Sequence, residues 1–343
     1  MLNKIISERN IQKAKKLIDQ SDKIIIVSHL SPDGDAIGSS LALYHFLLQI
    51  GKSVNIVVPN NFPGFLKWAK GAKDIVVGEW KENLVRELVN VADLIFCLDF
   101  NILKRIDQLG PLVEQSPAKK IMIDHHPDPD GFCDVVISHP EISSTSELIF
   151  RFICRMGMFD YIDKSCAECI FLGMMTDTGA FTYNSNSPQI YYIISELIEK
   201  GIDKDAIYDK VYNDYSECRI RLQGYILYEK MKLFKEYRTS LITLSREEQK
   251  KFQWRKGDTE GFVNIPLSIE NIIFSVFIRE EESMIKISFR SKGKFPANRF
   301  AAEIFNGGGH LNASGGEFYG TLEEAVALFE EALPRYADTL LMN

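Results

Sequence analysis

The chain has 343 residues, of which 45% are apolar and 25% charged, and its formal net charge at pH 7 is −7. This length is sufficient for two domains with separate cores, and no apolar run approaches the roughly 20 residues that a membrane-spanning helix needs. The negative charge argues against indiscriminate binding to long nucleic acid, because affinity for a polyanion comes mainly from lysine and arginine. Small anionic substrates are compatible with this net charge, since bound divalent cations would neutralise several of the carboxylates.

The first segment, residues 1–18, has the spacing of an amphipathic helix rather than that of a secretory signal. We therefore expect a cytoplasmic protein without a membrane segment. Its six cysteines lie mostly in apolar stretches, which indicates reduced thiols rather than a disulfide framework. Cys166 and Cys169 form a lone CxxC pair inside a predicted helix, and burial in that helix is favoured over zinc or redox chemistry.

Short apolar runs alternate with helical patterns through the first half of the chain. The runs predict strands at 24–28, 54–58, 94–99 and 120–124, with a helix from about 36 to 50 after the first strand. Continuous apolar strands separated by helices are typical of a parallel sheet covered on both faces. Ligands of such sheets bind at the carboxyl ends of the strands.

Acidic and histidine residues follow three of these strands, and a fourth acidic segment follows an apolar helical stretch. In chain order they are His29, Asp33, Asp35, Asp99, Asp124, His125, His126 and Asp177. Carboxylates gathered at about 4 Å would repel one another by about 4 kcal/mol per pair at an effective dielectric near 20, so cations are expected among them. Each segment alone also suits a capped turn, with Asp35 as the N-cap of the following helix. Their fourfold recurrence favours a site for two divalent metal ions.

The second half of the chain predicts a different architecture. After a polar turn at 184–188, two helical patterns run to about residue 234. Strands are then predicted at 239–244, 271–278 and 284–290, and helices near 297–306 and 321–336. Between those helices lies a glycine-rich segment, 306–316, whose backbone permits close approach of a ligand. The pattern predicts a domain at 1–200, a helical linker at 201–235 and a smaller α/β domain at 236–343.

Five motifs, in order, resemble those of the DHH phosphoesterase superfamily. They are SHLSPDGDAIG (28–38), CLDFN (97–101), DHHPDP (124–129), GMMTDTGAF (173–181) and NGGGHLNASGG (306–316), the last being similar to the signature of the DHH-associated C-terminal domain. The resemblance implies an α/β fold: an N-terminal parallel-sheet DHH catalytic domain with helices on both faces, a helical linker, and a smaller C-terminal α/β domain that binds substrate. Within the superfamily, the compact chain is most similar to the bifunctional oligoribonucleases that also dephosphorylate 3′-phosphoadenosine 5′-phosphate.

The resemblance also implies a ligand set. One metal ion is expected at His29, Asp33 and Asp99, and the other at Asp35, Asp99, His125 and Asp177, with Asp99 bridging the two. Two further residues receive catalytic roles: His126 faces the bridging solvent or a phosphate oxygen, and Asp124 orients its neighbours. A satisfied core histidine and a helix-capping carboxylate are the alternatives for these two. Oxygen-rich sites with some imidazole favour manganese, with magnesium second and zinc third.

Substrate contacts are implied for the C-terminal domain. Arg290 is expected to clamp a phosphate, with Ser291, Gly308, Gly309 and His310 completing the cradle. Arg299, Lys292 and Lys294 add positive charge there, although solvated surface roles suit these three equally. Leu311 and Asn312 depart from the more polar or basic residues of many relatives, which is expected to affect which terminal nucleotide or phosphate is preferred.

The resulting expectation is a metal-dependent phosphohydrolase that activates a hydroxide bridging two metal ions. Its expected substrates are short RNA oligonucleotides, degraded to mononucleotides, and 3′-phosphoadenosine 5′-phosphate, converted to AMP. The alternatives are a phosphodiesterase of cyclic or linear dinucleotides, then a pyrophosphatase or polyphosphatase, and, from another class, a non-catalytic nucleotide-binding module. Neither long duplex nucleic acid nor a membrane is an expected partner, and a homodimer stays open.

Overall fold

The computed structural model describes residues 4–342 and divides into two compact units, Met1–Asp214 (unit 1) and Tyr215–Asn343 (unit 2). The division falls inside the stretch predicted as a linker. The helix predicted from the segment 1–18 is present as α1 (Glu8–Asp19), which begins later than predicted because Ser7 is its N-cap. The first three residues of that predicted segment lie outside the described residues.

Unit 1 is an alternation of strands and helices. Its strands are β1 (Lys23–Ser28), β2 (Ser53–Val58), β3 (Val76–Val77), β4 (Leu94–Leu98), β5 (Lys119–Asp124) and β6 (Val135–Ser138). Its other helices are α2 (Gly34–Gln49), α3 (Glu82–Asn90), α4 (Leu109–Gln115), α5 (Thr145–Arg155), α6 (Lys164–Asp177), α7 (Pro188–Glu199) and α8 (Lys204–Tyr212).

The six strands form one parallel sheet in the order β3-β2-β1-β4-β5-β6. Alternate residues of β1 point to opposite faces: Ile24 and Ile26 join one buried cluster, and Ile25 and Val27 join another. Helices α1, α2, α5 and α6 cover the first face and α3 and α4 the second. The predicted parallel sheet with helices on both faces is therefore confirmed. The strand order reverses between β1 and β4, and open α/β sheets bind ligands at such a point.

Helices α2 and α6 approach each other most closely where Gly38 meets the backbone of α6. A Cβ on Gly38 of α2 would lie 2.7 Å from the backbone nitrogen of Gly173 and 2.8 Å from the carbonyl oxygen of Cys169, both in α6. Real Cβ atoms do not approach backbone that closely, so glycine at position 38 is what permits this crossing. The crossing brings the start of α2 near the end of α6.

Unit 2 holds a second six-stranded sheet. Its strands are β7 (Lys232–Phe234), β8 (Thr239–Leu244), β9 (Phe274–Glu280), β10 (Ile285–Ser291), β11 (Gly308–His310) and β12 (Ala313–Phe318), and its helices are α9 (Glu217–Tyr225), α10 (Arg246–Lys251), α11 (Ala297–Phe305), α12 (Leu322–Ala332) and α13 (Ala337–Leu341). The sheet order is β11-β12-β10-β9-β8-β7, with β8 and β9 parallel and the other pairs antiparallel. A phenylalanine-rich core, including Phe274, Phe289 and Phe300, fills the space between this sheet and α11 and α12.

The glycine-rich segment forms the β11–β12 hairpin. Gly309 pairs with Ser314 across it and has φ of 137°, a conformation that residues with a side chain rarely adopt. A Cβ at Gly309 would also lie 2.7 Å from the carbonyl oxygen of Ala313. The hairpin itself therefore requires glycine at position 309.

All six cysteines, Cys97, Cys133, Cys154, Cys166, Cys169 and Cys218, are free. The CxxC pair lies in α6 with both thiols buried, and burial raises the pKa of each, so neither is a ready nucleophile at neutral pH. Burial also raises the pKa of Cys154 to about 12. No helix in residues 4–342 combines the length and the apolar character that crossing a bilayer requires.

Candidate metal centre

The predicted ligands of unit 1 gather where the strand order reverses. His29 follows β1, Asp99 follows β4, and Asp124 ends β5 with His125 and His126 directly after it. Parallel strands end at the same edge of a sheet, so these side chains meet although they are distant in sequence. The crossing of α2 and α6 supplies the others, which are Asp33, Asp35 and Asp177.

The first group contains His29, Asp33 and Asp99, which offer one ligand atom each within 4.8 Å of one another. The Nε2 atom of His29 lies 3.4 Å from Asp99 Oδ2 and 3.8 Å from Asp33 Oδ1. Its Nδ1 atom lies 2.9 Å from the carbonyl oxygen of Leu30, which holds the ring with Nε2 toward the carboxylates. Asp33 is also the N-cap of α2, accepting hydrogen bonds from two backbone amides. The alternative that made Asp35 the N-cap is therefore wrong.

The second group contains Asp35, His125 and Asp177, again with ligand atoms within 4.8 Å. The Nε2 atom of His125 lies 4.0 Å from Asp35 Oδ2 and 3.4 Å from Asp177 Oδ2. The Nδ1 atom of His125 lies 3.2 Å from the carbonyl oxygen of Ile142. Both histidines thus use Nδ1 against a carbonyl and present Nε2 to acids, the arrangement usual for metal-bound imidazole.

Asp99 lies between the two groups. Its Oδ2 atom faces His29, and its Oδ1 atom lies 3.6 Å from His125 Nε2. Its backbone has φ of 63°, in the left-handed region that asparagine and aspartate tolerate better than other residues with side chains. Strained conformations of this kind cluster at functional sites. One carboxylate with an oxygen toward each group is suited to bridge two cations.

The amino-terminal end of α5 holds two of these carboxylates, a contact that the sequence does not predict. The backbone amides of Thr145 and Ser146 donate to the two oxygens of Asp35, at 2.6 and 2.9 Å. The hydroxyl of Thr145 donates to Asp99 Oδ1 at 2.9 Å. A local signal exists, because Ser144 followed three residues later by Glu147 before an apolar run indicates a helix start. The pattern gives no indication that this helix start contacts Asp35, more than a hundred residues earlier.

Asp124 is fully buried and binds His126 twice. It accepts a hydrogen bond from the His126 backbone amide at 3.0 Å, and its Oδ1 atom lies 2.7 Å from the Nδ1 atom of that ring. The Nδ1 atom of His126 therefore donates its proton to the Asp124 carboxylate. The other ring nitrogen, Nε2, is not used in this contact. This geometry is that of a carboxylate that orients a histidine. Asp124 is also close enough to Asp99 and His126 to form a third group of candidate ligand atoms.

Asp124→Asn is expected to lower turnover about 10- to 100-fold, the effect usual for a residue that orients a ligand or catalytic histidine. The amide loses one of the two acceptor oxygens that fix His126. Steady-state kinetics with manganese saturating would measure the loss. Asp128→Asn, an exposed change in the same turn, is the matched control. Wild-type turnover in the Asp124 variant would show that His126 needs no such support.

Opposing electrostatic effects act within the centre. Burial disfavours a charged His29, but Asp33 and Asp99 outweigh it and raise the pKa of His29 to about 10. Burial, together with repulsion from Asp99 and Asp177, raises the pKa of Asp35 well above its usual range. Burial opposes ionisation of Asp99 as well, but three surrounding histidines outweigh it and hold the pKa of Asp99 well below its usual value. The ionised forms of Asp35 and Asp99 therefore require positive charge close by to be stable.

Binding of Mn²⁺ is expected to release protons. Metal coordination needs neutral imidazole, whereas His29, with its raised pKa, is protonated below about pH 10 in the metal-free chain. The apparent affinity should rise about tenfold per pH unit for each proton displaced, and level off above that pKa. Isothermal titration calorimetry in buffers of different ionisation enthalpy would count the protons. An affinity that does not change between about pH 6.5 and 9 would contradict a ligand role for His29.

The predicted substrate residues lie in unit 2. Arg290 and Ser291 end β10, and the Ser291 hydroxyl donates to the Phe295 carbonyl at 2.8 Å while accepting from Asn312 at 2.8 Å. Gly308, Gly309 and His310 form β11. Arg299 is exposed on α11 and paired with Glu303 at 2.6 Å. The hydroxyl of Ser291 is thus engaged internally, and the substrate role of the whole set stays a prediction.

Comparisons with known proteins give consistent results. The model of the DHH family, N-terminal domain, matches residues 23–174, and the DHHA1 domain matches residues 236–335. The chain is 27% identical over 305 residues to the bifunctional oligoribonuclease and PAP phosphatase NrnA of Bacillus subtilis, covering 89% of this chain and 92% of that protein.

Two solved structures are also similar. An exopolyphosphatase-related protein from Bacteroides fragilis has 62% identity and a TM-score of 0.95, with 99% of each chain covered. RecJ from Thermus thermophilus in complex with Mn²⁺ has 14% identity and a TM-score of 0.56, with 98% of this chain and 55% of that chain covered. The RecJ likeness concerns the fold alone.

Proposed function

Because this chain belongs to the DHH phosphoesterase family, we propose that it degrades short RNA oligonucleotides to mononucleotides and removes the 3′-phosphate from 3′-phosphoadenosine 5′-phosphate. One observation carries the hydrolytic part of the proposal: Asp99 directs one oxygen toward His29 and the other toward His125. A shared carboxylate between two sets of oxygen and imidazole ligands is the arrangement of a dinuclear hydrolase. The substrates are proposed from the name of the Bacillus subtilis relative.

The donor set fits two divalent cations. Five carboxylates, those of Asp33, Asp35, Asp99, Asp124 and Asp177, meet three imidazoles, and such a set suits manganese better than magnesium. Asp35, Asp99 and Asp124 are buried, whereas Asp33 and Asp177 are accessible to solvent. RecJ from Thermus thermophilus, which has a similar fold, was solved in complex with Mn²⁺. When bound, two such ions would lower the pKa of water to about 7 and neutralise charge that develops on the phosphate.

The residues of the chain would then act mainly by position. Asp35 and Asp99 are fixed by α5, so their oxygens keep their spacing through the reaction. His126 is held by Asp124 and would direct its Nε2 atom toward a phosphate oxygen or the attacking water. Such preorganised donors reduce the reorganisation needed in the transition state. In unit 2, Arg290 and His310 remain the proposed contacts for the substrate phosphate.

A substrate panel with manganese tests the proposal. The full chain would be assayed on a diribonucleotide, 3′-phosphoadenosine 5′-phosphate, a cyclic dinucleotide and polyphosphate, with the Asp99→Asn variant as a control for contaminating hydrolases. We expect the first two to be hydrolysed and the variant to be inactive on both. Hydrolysis of the cyclic dinucleotide alone would replace the proposal by a signalling phosphodiesterase.

Polyphosphate hydrolysis is the second candidate. It is favoured by the 62% identical Bacteroides fragilis protein, whose name is exopolyphosphatase-related protein. Cleavage of polyphosphate uses the same attack on phosphorus, so the metal centre does not separate the two candidates. Selective hydrolysis of polyphosphate in the panel, with no AMP released from 3′-phosphoadenosine 5′-phosphate, would establish this second function instead.

A further inference from the structure

Arg105 lies beside the metal centre, outside the motifs that the sequence singles out. It follows Asp99 by six residues and belongs to a turn of 3₁₀ helix, Leu103–Ile106. Its carbonyl oxygen accepts a hydrogen bond from the Leu30 amide at 2.7 Å, and Leu30 follows His29 directly. The backbone of Arg105 is therefore fixed against the turn that carries the first group of ligands.

The side chain of Arg105 is half-buried. Across residues 4–342, no ion pair within 4.0 Å and no side-chain hydrogen bond engages its guanidinium. A buried arginine nearly always has an acidic partner, because burial removes the hydration of its charge. Two other arginines of unit 1 that are largely buried follow that rule: Arg151 pairs with Glu147, and Arg155 with Glu8. A guanidinium without an acidic partner in the described residues, beside the turn that carries His29, indicates that Arg105 binds an anionic ligand.

The backbone bond from Leu30 places Arg105 beside the turn that carries His29, and its charge acts on two histidines of the centre. Burial lowers the pKa of His126 most, and the positive charge of Arg105 adds to that effect. Burial and Arg105 act in the same direction on the pKa of His29, although Asp33 and Asp99 outweigh them there. Both effects agree with the place that the bond to Leu30 gives Arg105, next to the turn of the first ligand group. A phosphate reacting at the centre would occupy the same neighbourhood.

The charge balance of the centre leads to the same requirement. Its five carboxylates outnumber the four positive charges of two divalent ions by one, so a loaded centre alone would not attract a phosphate anion strongly. Arg105 cancels that excess. Its planar fork also matches two oxygens of one phosphate, which a lysine ammonium cannot do.

We propose that Arg105 binds the phosphate group that is hydrolysed, as a substrate-binding residue of unit 1. The inference rests on the proposed function in taking a phosphoester as substrate, and it adds a specific contact within the catalytic unit. Its ligand is a phosphate oxyanion, whether a phosphomonoester or a phosphodiester. Within residues 4–342, the Arg105 side chain forms no ion pair with a proposed metal ligand, so its removal should leave metal binding intact.

Arg105→Ala, Arg105→Lys and Lys104→Ala test the inference in the manganese-loaded full chain. Lys104 is exposed in the same turn and is the matched control for loss of one positive charge. For Arg105→Ala we expect KM for 3′-phosphoadenosine 5′-phosphate and the inhibition constant of inorganic phosphate to rise about 10- to 100-fold. We expect kcat to change less than about threefold, because the contact is present in both substrate and transition state. Arg105→Lys should restore part of the loss, and Lys104→Ala should match the wild type.

Two results would overturn the inference. Unchanged KM and phosphate inhibition in Arg105→Ala would show that the guanidinium does not meet the substrate. A lowered Mn²⁺ affinity or melting temperature in that variant would assign Arg105 a structural role instead. Calorimetric binding of inorganic phosphate separates this inference from the proposed function, because it needs no turnover. Phosphate binding that depends on Arg105 in a chain inactive on both nucleotides would retain the inference and remove the proposed function.

Discussion

Replacing Asp99 by asparagine is expected to lower turnover about 10³-fold or more with manganese saturating. The bridging carboxylate contributes charge to both ion sites, and electrostatic stabilisation at two-metal centres amounts to several kcal/mol, with each 1.36 kcal/mol equal to about tenfold in rate. Asparagine tolerates the left-handed backbone at this position, where φ is 63°, so the fold should persist. Single-turnover kinetics and metal analysis by mass spectrometry would measure rate and stoichiometry, which should fall from two ions toward one.

Asp107→Asn is the matched control for this change. Asp107 is an exposed aspartate eight residues later, also with a positive φ, of 47°. The substitution therefore makes the same chemical change outside the centre, and should leave both turnover and metal content unaltered. Full activity in the Asp99 variant would refute a shared carboxylate, whereas equal losses in both variants would indicate a general effect of charge or folding.

The second large effect is expected from Gly38→Ala, a change of one methyl group outside the ligand set. The added Cβ would lie within 3.0 Å of three backbone atoms of α6, which cannot rotate away as a side chain could. Overpacking of this kind costs about 1–3 kcal/mol, partly offset by the better helix propensity of alanine. We expect a net loss of about 2 kcal/mol in the free energy of unfolding, measured by urea titration.

The same change should also impair the chemistry. Separation of α2 from α6 moves Asp35 away from Asp177, and a misplacement of about 1 Å can cost about 10²-fold in rate. Gly224→Ala is the control: Gly224 lies in α9 with no atom within 4 Å of an added Cβ, so stability should be unchanged or increased by up to about 1 kcal/mol. Gly38→Ala with wild-type stability and activity would show that the two helices separate without consequence for the centre.

The strands that carry the ligands, β1, β4 and β5, were predictable because each is a continuous apolar run that ends at or just before a polar residue. The predicted segments 24–28 and 120–124 end where β1 and β5 end, at Ser28 and Asp124. Strand β9 differs from its prediction, 271–278. Asn271 has φ of 65° and the next two amides bond to turn carbonyls, so the strand begins at Phe274. Ile272 and Ile273 lie before the strand, and their apolar character reflects their burial in the core.

The contacts that support the ligands were not predictable from local pattern. Thr145 reaches Asp35 and Asp99 through the tertiary fold, and its own segment indicates only the start of a helix. The same holds for Arg105, whose relation to His29 depends on a backbone bond to Leu30. A local sequence pattern shows which residues lie on one helix or strand. These contacts join two elements that are distant in sequence, so a local pattern does not show them.

One helix end was also predicted too late. Helix α12 ends at Ala332 rather than near residue 336, because Pro334 cannot continue the α-helical hydrogen bonding. The apolar spacing continues past this point, since Leu333 and Tyr336 still pack into the core from a turn of 3₁₀ helix. The apolar periodicity is therefore a better guide to which residues are buried than to the residue at which a helix ends.

The hydrogen bonds from α5 to the two central aspartates have a consequence for how ions are exchanged. Two backbone amides and the Thr145 hydroxyl donate hydrogen bonds to oxygens of Asp35 and Asp99. These carboxylates are therefore held in place by the protein itself, without a bound ion. Stripping the chain with a chelator and then resupplying Mn²⁺ should therefore restore activity as fast as the ion diffuses and binds, with no slow refolding phase.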